Sequence, residues 1–285
     1  MPKLNIAFFG TPELVIPILE ELESAGLLPK VIVTGKDEPQ GRKMLVQKPA
    51  PKIWAEQKNI PTLQPEKIDT QFLEEFKKYD IDLGIVVAYG KILPKTLLEL
   101  PRLGMVNVHY SLLPKYRGAT PVESAILNGD DVTGVVIQKM VFALDAGDVI
   151  EKEEVQIGEK ETAPELRNRL NEIAKKLLVK AVGKIADGTV SYEKQNDAKA
   201  MLCKKIKKED GLLDLASDPI QNYRKFRAYY GWPGTYFFTE KNAKRIRVVI
   251  KEASLKNDVL EITRVIPEGK KEMSYKDFLA GFQNK

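Results

Sequence analysis

The chain has 285 residues, 43% of them hydrophobic, which is enough apolar material to pack one large domain or two of ordinary size. A single cysteine, Cys203, excludes an intramolecular disulfide and a thiolate metal cluster. The apolar runs end far short of the roughly 20 residues a membrane helix needs, and Gly10 to Glu13 break the N-terminal apolar stretch too early for a secretory leader, so a cytoplasmic protein with no membrane segment is expected.

In chain order, Leu4 to Phe9 reads as an apolar strand, followed by Thr11 as N-cap, Pro12 as first helical residue and Glu13 in the first turn. Leu14, Val15, Ile18, Leu19 and Leu22 then recur at helical spacing until Gly26. Further buried strands are expected at Lys30 to Thr34, Leu83 to Ala88, Met105 to His109 and Val135 to Met140. Directly after the strand at Lys30 to Thr34, residues 35–52 form a polar connection longer than most strand-to-helix loops, rich in Lys36, Arg42, Lys43, Lys48 and Lys52. Thr120-Pro121-Val122-Glu123 and Thr162-Ala163-Pro164-Glu165 each place Thr at a cap and Glu three residues on, and the second should open a helix reaching about Ala186. Strands alternating with helices predict an α/β fold with an open, mostly parallel, Rossmann-like sheet of at least five strands.

The periodicity fades over residues 189–204, which read as a linker between a domain at 1–188 and another at 205–285. The second region holds a short helix at Ile220 to Arg227, the turn Gly231-Trp232-Pro233-Gly234, and strand-like segments at Thr235 to Thr239, Ile246 to Ala253 and Val259 to Val265. That pattern predicts a small antiparallel β-barrel. The net formal charge is +5, and its surplus sits here: from Lys205 onward 17 Lys and Arg face 11 Asp and Glu, whereas 28 face 29 before it.

Asn107-Val108-His109 carries the strongest chemical signal, because strand alternation points Asn107 and His109 to one side at the C-terminal end of a central strand, where open α/β sheets hold ligands. His109 is the only histidine. A strand-end histidine satisfied by a loop carbonyl is the plain alternative. Asp145, in Leu144-Asp145-Ala146-Gly147-Asp148, should reach the same edge and could orient the imidazole, or could bond its own turn backbone. The segment Ser111 to Pro121 carries Lys115 and Arg117, which could hold an anion or simply line a basic loop. No G-x-G-x-x-G follows the first strand and Gly35-Lys36 closes no phosphate loop, so dinucleotide and P-loop binding are disfavoured.

Taken together, Phe8 to Glu13, Ala88 to Pro94, Asn107-Val108-His109, Ser111 to Pro121 and Leu144 to Asp148 closely resemble the folate-dependent formyltransferases. Lys205 to Gly211, Arg227-Ala228, Trp232-Pro233-Gly234, Gly269 to Lys271 and Phe278 to Phe282 resemble the C-terminal, OB-like domain of the methionyl-tRNA formyltransferase family. The resemblance implies catalysis by Asn107, His109 and Asp145, moving a formyl group from 10-formyltetrahydrofolate to the amine of initiator methionyl-tRNA in translation initiation. It implies folate binding by Tyr89, Gly90, Ile92, Leu93, Ser111, Leu112, Leu113, Pro114, Val141, Phe142 and Ala143. It implies tRNA binding by Arg42, Lys43, Lys205, Lys207 and Lys208, with no metal. Tyr110, Lys43, Leu215 and Thr120 depart from the family pattern, and Tyr110 bears on the width of the acceptor entrance. A monomer is expected, since no self-complementary apolar stripe is left over. Two other readings stay open: an N-formyltransferase acting on an amino-sugar nucleotide, and a non-catalytic RNA-binding protein with a degenerate enzyme fold.

Overall fold

Segments such as Ile6-Ala7-Phe8-Phe9 and Leu83-Gly84-Ile85-Val86 have no polar face to offer water, so they can be strands only if covered on both sides. The computed structural model describes residues 4–40, 45–241 and 243–283, and it buries both segments completely. Arg42 and Lys43 lie outside the described residues.

The chain opens with β1 (Ile6–Phe9), α1 (Ile16–Ser24), β2 (Val31–Val33), β3 (Glu38–Gln40), β4 (Leu45–Gln47), α2 (Ala50–Gln57), β5 (Thr62–Leu63) and α3 (Thr70–Lys77). It continues through β6 (Leu83–Val86), α4 (Lys95–Leu98), β7 (Met105–His109), β8 (Arg117–Gly118), α5 (Pro121–Asn128), β9 (Val132–Lys139), β10 (Val149–Gln156), α6 (Ala163–Asp187) and β11 (Leu202–Cys203). The last elements are α7 (Pro219–Ala228), β12 (Tyr236–Lys241), β13 (Lys244–Lys256), β14 (Val259–Pro267), β15 (Met273–Ser274) and α8 (Tyr275–Gln283). Contacts divide the chain into two units. The first holds residues up to Arg117, Gly134–Val155 and Asn168–Leu202; the second holds Gly118–Thr133, Gln156–Arg167 and everything from Cys203 on.

In the first unit a seven-stranded sheet runs in the order β10-β9-β7-β6-β1-β2-β5. Pairs β1/β2, β1/β6, β2/β5 and β6/β7 are parallel, and β7/β9 is antiparallel. The sheet is therefore open and mostly parallel, as the alternation of strands and helices predicts. Its strand order reverses between β1 and β6, the kind of place where α/β sheets leave a crevice beyond their C-terminal ends. Phe9 is fully buried and lies 5.7 Å from the Phe76 ring of α3 and 5.5 Å, edge-on, from Tyr89. Those three rings anchor an apolar layer that also contains Val31, Val33, Leu93 and Leu97.

The capping expectations fare differently at each site. Thr162 behaves as read: its backbone N–H and its hydroxyl both donate to Glu165, at 2.8 and 2.7 Å, and α6 runs from Ala163 to Asp187 before Gly188 turns left-handed at φ 76°. Thr11 is no cap, because a 3-10 turn at Glu13–Val15 precedes α1 and the Thr11 hydroxyl instead accepts the Gly35 N–H at 3.2 Å. Thr120 stands at the start of α5 without a side-chain cap bond; its hydroxyl donates to the Lys204 carbonyl at 2.7 Å, while Glu123 pairs with Arg167. In both failures a tertiary partner displaces the local backbone as the hydroxyl's partner.

In the second unit β12, β13, β14 and β15 form an antiparallel sheet in that order, with a bulge near residues 250–253 of the long β13. Phe237, Val248, Ile250 and Val265 of the sheet meet Tyr223 and Phe226 of α7 and Phe278 of α8 in one core. This is the small β domain that the spacing of strands and turns predicts. Among the described residues no helix is long and apolar enough to cross a membrane.

Replacing Phe9 with Ala should cost about 3–5 kcal/mol through lost burial and the cavity left between Phe76 and Tyr89. Urea unfolding followed by Trp54 fluorescence, in a Trp232→Phe background that removes the chain's other tryptophan, reads this directly.

Candidate active site

β7 ends in Asn107-Val108-His109, and the pleat sends Asn107 and His109 to the same face. The strand lies between β6 and β9, with Asn107 level with Val86 on one side and opposite Gln138 on the other. Opposed residues in an antiparallel pair share a face, so Gln138 is delivered to the side where Asn107 projects.

Asp145 arrives from the loop between β9 and β10. Its backbone is left-handed at φ 46°, a conformation a non-glycine residue holds only when its surroundings impose it. Two features impose it. A Cβ on Gly147 would fall 1.6 Å from the Lys139 carbonyl oxygen, so only glycine permits the close approach that shuts the loop. From residues 189–202, the Gln195 amide donates to the carbonyls of Asp145 at 2.8 Å and Gly147 at 2.6 Å. Gln195 is itself held by Arg117, whose Nε and Nη2 donate to its Oε1 at 3.0 and 2.7 Å.

The three expected catalytic side chains meet. Asp145 Oδ2 stands 3.7 Å from His109 Nδ1, and Asn107 Nδ2 donates to Asp145 Oδ1 at 3.5 Å. Gln138 Nε2 donates to the same Oδ1 at 2.9 Å. On its other side His109 Nε2 is 2.9 Å from the Tyr116 carbonyl. A carbonyl can only accept, so that nitrogen carries hydrogen, and in the neutral ring the lone pair of Nδ1 faces Asp145. The loop carbonyl is thus real, but it orients the imidazole toward the carboxylate rather than leaving it idle. Burial pushes the His109 pKa down, against the opposing pull of Asp145 and the Tyr116 carbonyl, so the ring is neutral at pH 7. The His109 side chain is 6% exposed and that of Asp145 14%, so the carboxylate is the member of this pair that reaches outward.

The remaining expected residues separate by exposure. Tyr89 and Leu93 turn their side chains into the core, and burial lifts the Tyr89 phenol to about 12; Gly90 and Ile92 face outward, Ile92 at 85%. Val141, Phe142 and Ala143 are exposed, as is Leu144. Ser111 is buried with its hydroxyl donating to the Lys115 carbonyl at 2.6 Å, and Leu112, Leu113 and Pro114 are half-buried. Arg117 is buried and committed to Gln195 and Asp197, so it is a structural cation rather than a hand for an anionic ligand; Lys115 is exposed. Tyr110 is buried, its hydroxyl donating to Asn171 of α6 at 2.8 Å. Lys205, Lys207 and Lys208, in the second unit, are exposed.

Gln138 and Gln195 escaped the sequence reading. Gln138 left a trace, as the first polar residue in the strand expected at Val135 to Met140, whereas Gln195 sits in the stretch taken for linker and left none. A cavity of 640 Å³ lined by Thr62, Gln64, Glu66, Asp69 and Glu75 lies by β5, four strands from β7, and takes in none of these residues. Among the described residues no group of three His, Cys, Asp or Glu side chains is placed to hold a metal ion.

The sequence pattern of formyl transferases matches residues 4–182, and that of the formyl transferase C-terminal domain matches residues 205–258. The methionyl-tRNA formyltransferase of Geobacter metallireducens is 36% identical over 300 residues, covering 99% of this chain and 96% of its own. That of Citrifermentans bemidjiense is 37% identical over 302 residues, covering 99% and 95%. Among solved structures, the methionyl-tRNA formyltransferase from Clostridium thermocellum superposes with a TM-score of 0.61 at 18% identity, over 95% of this chain and 99% of its own. An N-formyltransferase from Helicobacter canadensis, in complex with folinic acid and dTDP-3-aminofucose, gives 0.67 at 18% identity, over 89% and 88%. These two structural likenesses bear on the fold alone. With both sequence patterns matched and relatives aligned end to end, the chain belongs to the methionyl-tRNA formyltransferase family of formyl transferases.

Proposed function

We propose that the protein transfers a formyl group from 10-formyltetrahydrofolate to the amino group of initiator methionyl-tRNA. The observation that carries this reading is the meeting of Asn107, His109 and Asp145 at one sheet edge, in a chain more than a third identical to methionyl-tRNA formyltransferases along almost its whole length.

The surroundings suit a flat folate donor. Ile92, Val141, Phe142 and Leu144 leave large apolar side chains in solvent on the segments after β6 and just before Asp145, and exposed apolar surface of this kind suits a ligand site. The folate supplies the formyl group; the protein must bind, orient and move protons. Gly90 and Ile92 from one side, and Val141 to Ala143 from the other, would flank the ring, with Tyr89 and Leu93 backing it from the core. Ser111 to Pro114 would support it through the loop after β7.

Asn107, half-buried, is the amide donor available to negative charge developing on the formyl oxygen as the amine attacks. Asp145 accepts the proton the amine must lose, and His109 shares it, since its Nδ1 lone pair faces the carboxylate and its Nε2–H is tied to Tyr116. The pair then returns that proton to the departing nitrogen. His109 acts through Asp145 in this scheme.

In the division of labour residues 1–188 carry transfer, 205–285 bind tRNA, and 189–204 join them. Exposed Lys205, Lys207 and Lys208 would neutralise phosphates, with Arg42 and Lys43 serving the acceptor end. The same reading makes the protein a cytoplasmic monomer, which sedimentation tests. An amino-sugar nucleotide as acceptor is the competing substrate; purified protein given the folate donor and either acceptor distinguishes them, and formylation of the sugar alone would overturn the proposal.

Asn107→Ala or His109→Ala should lower kcat by about 10²–10³-fold in that assay. Because His109 must stay neutral to share the proton and burial lowers its pKa, activity should hold as pH falls to 6.5 and decline only below it; the pH dependence of kcat checks this. Replacing Lys205, Lys207 and Lys208 together by Ala should weaken tRNA binding and reduce the slope of log K against log salt by roughly 2–3, as filter binding over a salt series would record.

A further inference from the structure

The two oxygens of Asp145 are held differently. Oδ1 accepts the Gln138 amide at 2.9 Å and lies 3.5 Å from Asn107 Nδ2, whereas Oδ2 stops 3.7 Å from His109 Nδ1. An imidazolium would draw a carboxylate to about 2.7–2.9 Å, whereas the neutral ring offers Asp145 only the Nδ1 lone pair, and 3.7 Å is too long for a hydrogen bond. Gln138 holds the other oxygen. It is 2% exposed, its Cα is paired across the strands with that of Asn107, and its Oε1 is buried with no partner. Packing alone would be served better by an apolar side chain of the same size, because burying an unmet acceptor is unfavourable. What the amide adds is its one donated bond to Asp145. The amide's orientation is fixed by chemistry, since a carboxylate oxygen must face the NH₂ end.

We propose that Gln138 is a positioning residue whose amide anchors Asp145 Oδ1 and keeps Oδ2 off His109, so that the carboxylate stays turned toward the acceptor amine. The last clause rests on the function proposed above; the anchoring of Asp145 away from His109 does not. Without the amide, Asp145 turns onto the ring when His109 gains a proton, forming an ion pair that stabilises the imidazolium and takes the carboxylate from the substrate.

The test compares Gln138→Met, which keeps the volume and removes the donor, with Gln138→Glu, which donates only when protonated. Because the chain has one histidine, the nitrogen and carbon resonances of His109 can be followed against pH without ambiguity. In Gln138→Met the His109 midpoint should move to higher pH, and kcat should fall about 10–100-fold with KM for both substrates unchanged. The ratio of Gln138→Glu to Gln138→Met activity should rise as pH falls and the introduced carboxylate gains its proton. An unchanged His109 titration in Gln138→Met, a rise in KM at constant kcat, or a pH-independent ratio would overturn the proposal. If urea unfolding shows that Gln138→Met does not fold, the His109 titration in Gln138→Glu decides: a midpoint equal to that of the unsubstituted protein refutes the anchor. If the unsubstituted protein formylates nothing, the functional reading fails, while the His109 titration still judges the anchor.

Discussion

A carboxylate in a nearly closed place must be met by donors, and much of the first unit is arranged around that requirement at Asp145. Its side chain faces the amides of Asn107 and Gln138 from neighbouring antiparallel strands, and its backbone is gripped by Gln195. None of these donors is a full positive charge. Amides satisfy the carboxylate without adding a formal charge, and burial pushes the pKa of the imidazole beside it down. A lysine or arginine in their place would quench the group.

The strands and their chemistry were legible because each is written in local residue order. Met105 to His109 is a strand in the structure with the bounds its apolar pattern implies, and the pleat alone puts Asn107 and His109 together. Asp145 could be placed at the same edge because it follows a strand into a loop of small residues. What local order does not carry is competition between distant partners. Thr11 and Thr120 look like caps but give their hydroxyls to tertiary contacts, and Arg117 looks like a ligand hand but serves Gln195 from 78 positions away. Tyr110 is the converse case, a bulky residue that finds room against Asn171 in the interior.

Charge is placed unevenly along the chain. Residues before Lys205 are close to neutral, with 28 Lys and Arg against 29 Asp and Glu. The positive surplus lies from Lys205 on, where Arg245 and Arg247 are laid over the rings of Phe238 and Tyr236 at 3.7 and 3.8 Å. Stacking of this kind restricts the guanidinium groups to few conformations.

The closure at Gly147 turns residues 140–146 into an arch with its feet tied together. The Lys139 N–H donates to the Asp148 carbonyl at 2.9 Å, directly beside the spot where the Lys139 oxygen excludes a Cβ from Gly147. The apolar crown, Val141 to Leu144, stands clear of these footings. Side chains at the crown can therefore be exchanged while the carboxylate behind them stays put, so the surface of the arch and the placing of Asp145 are independent of one another.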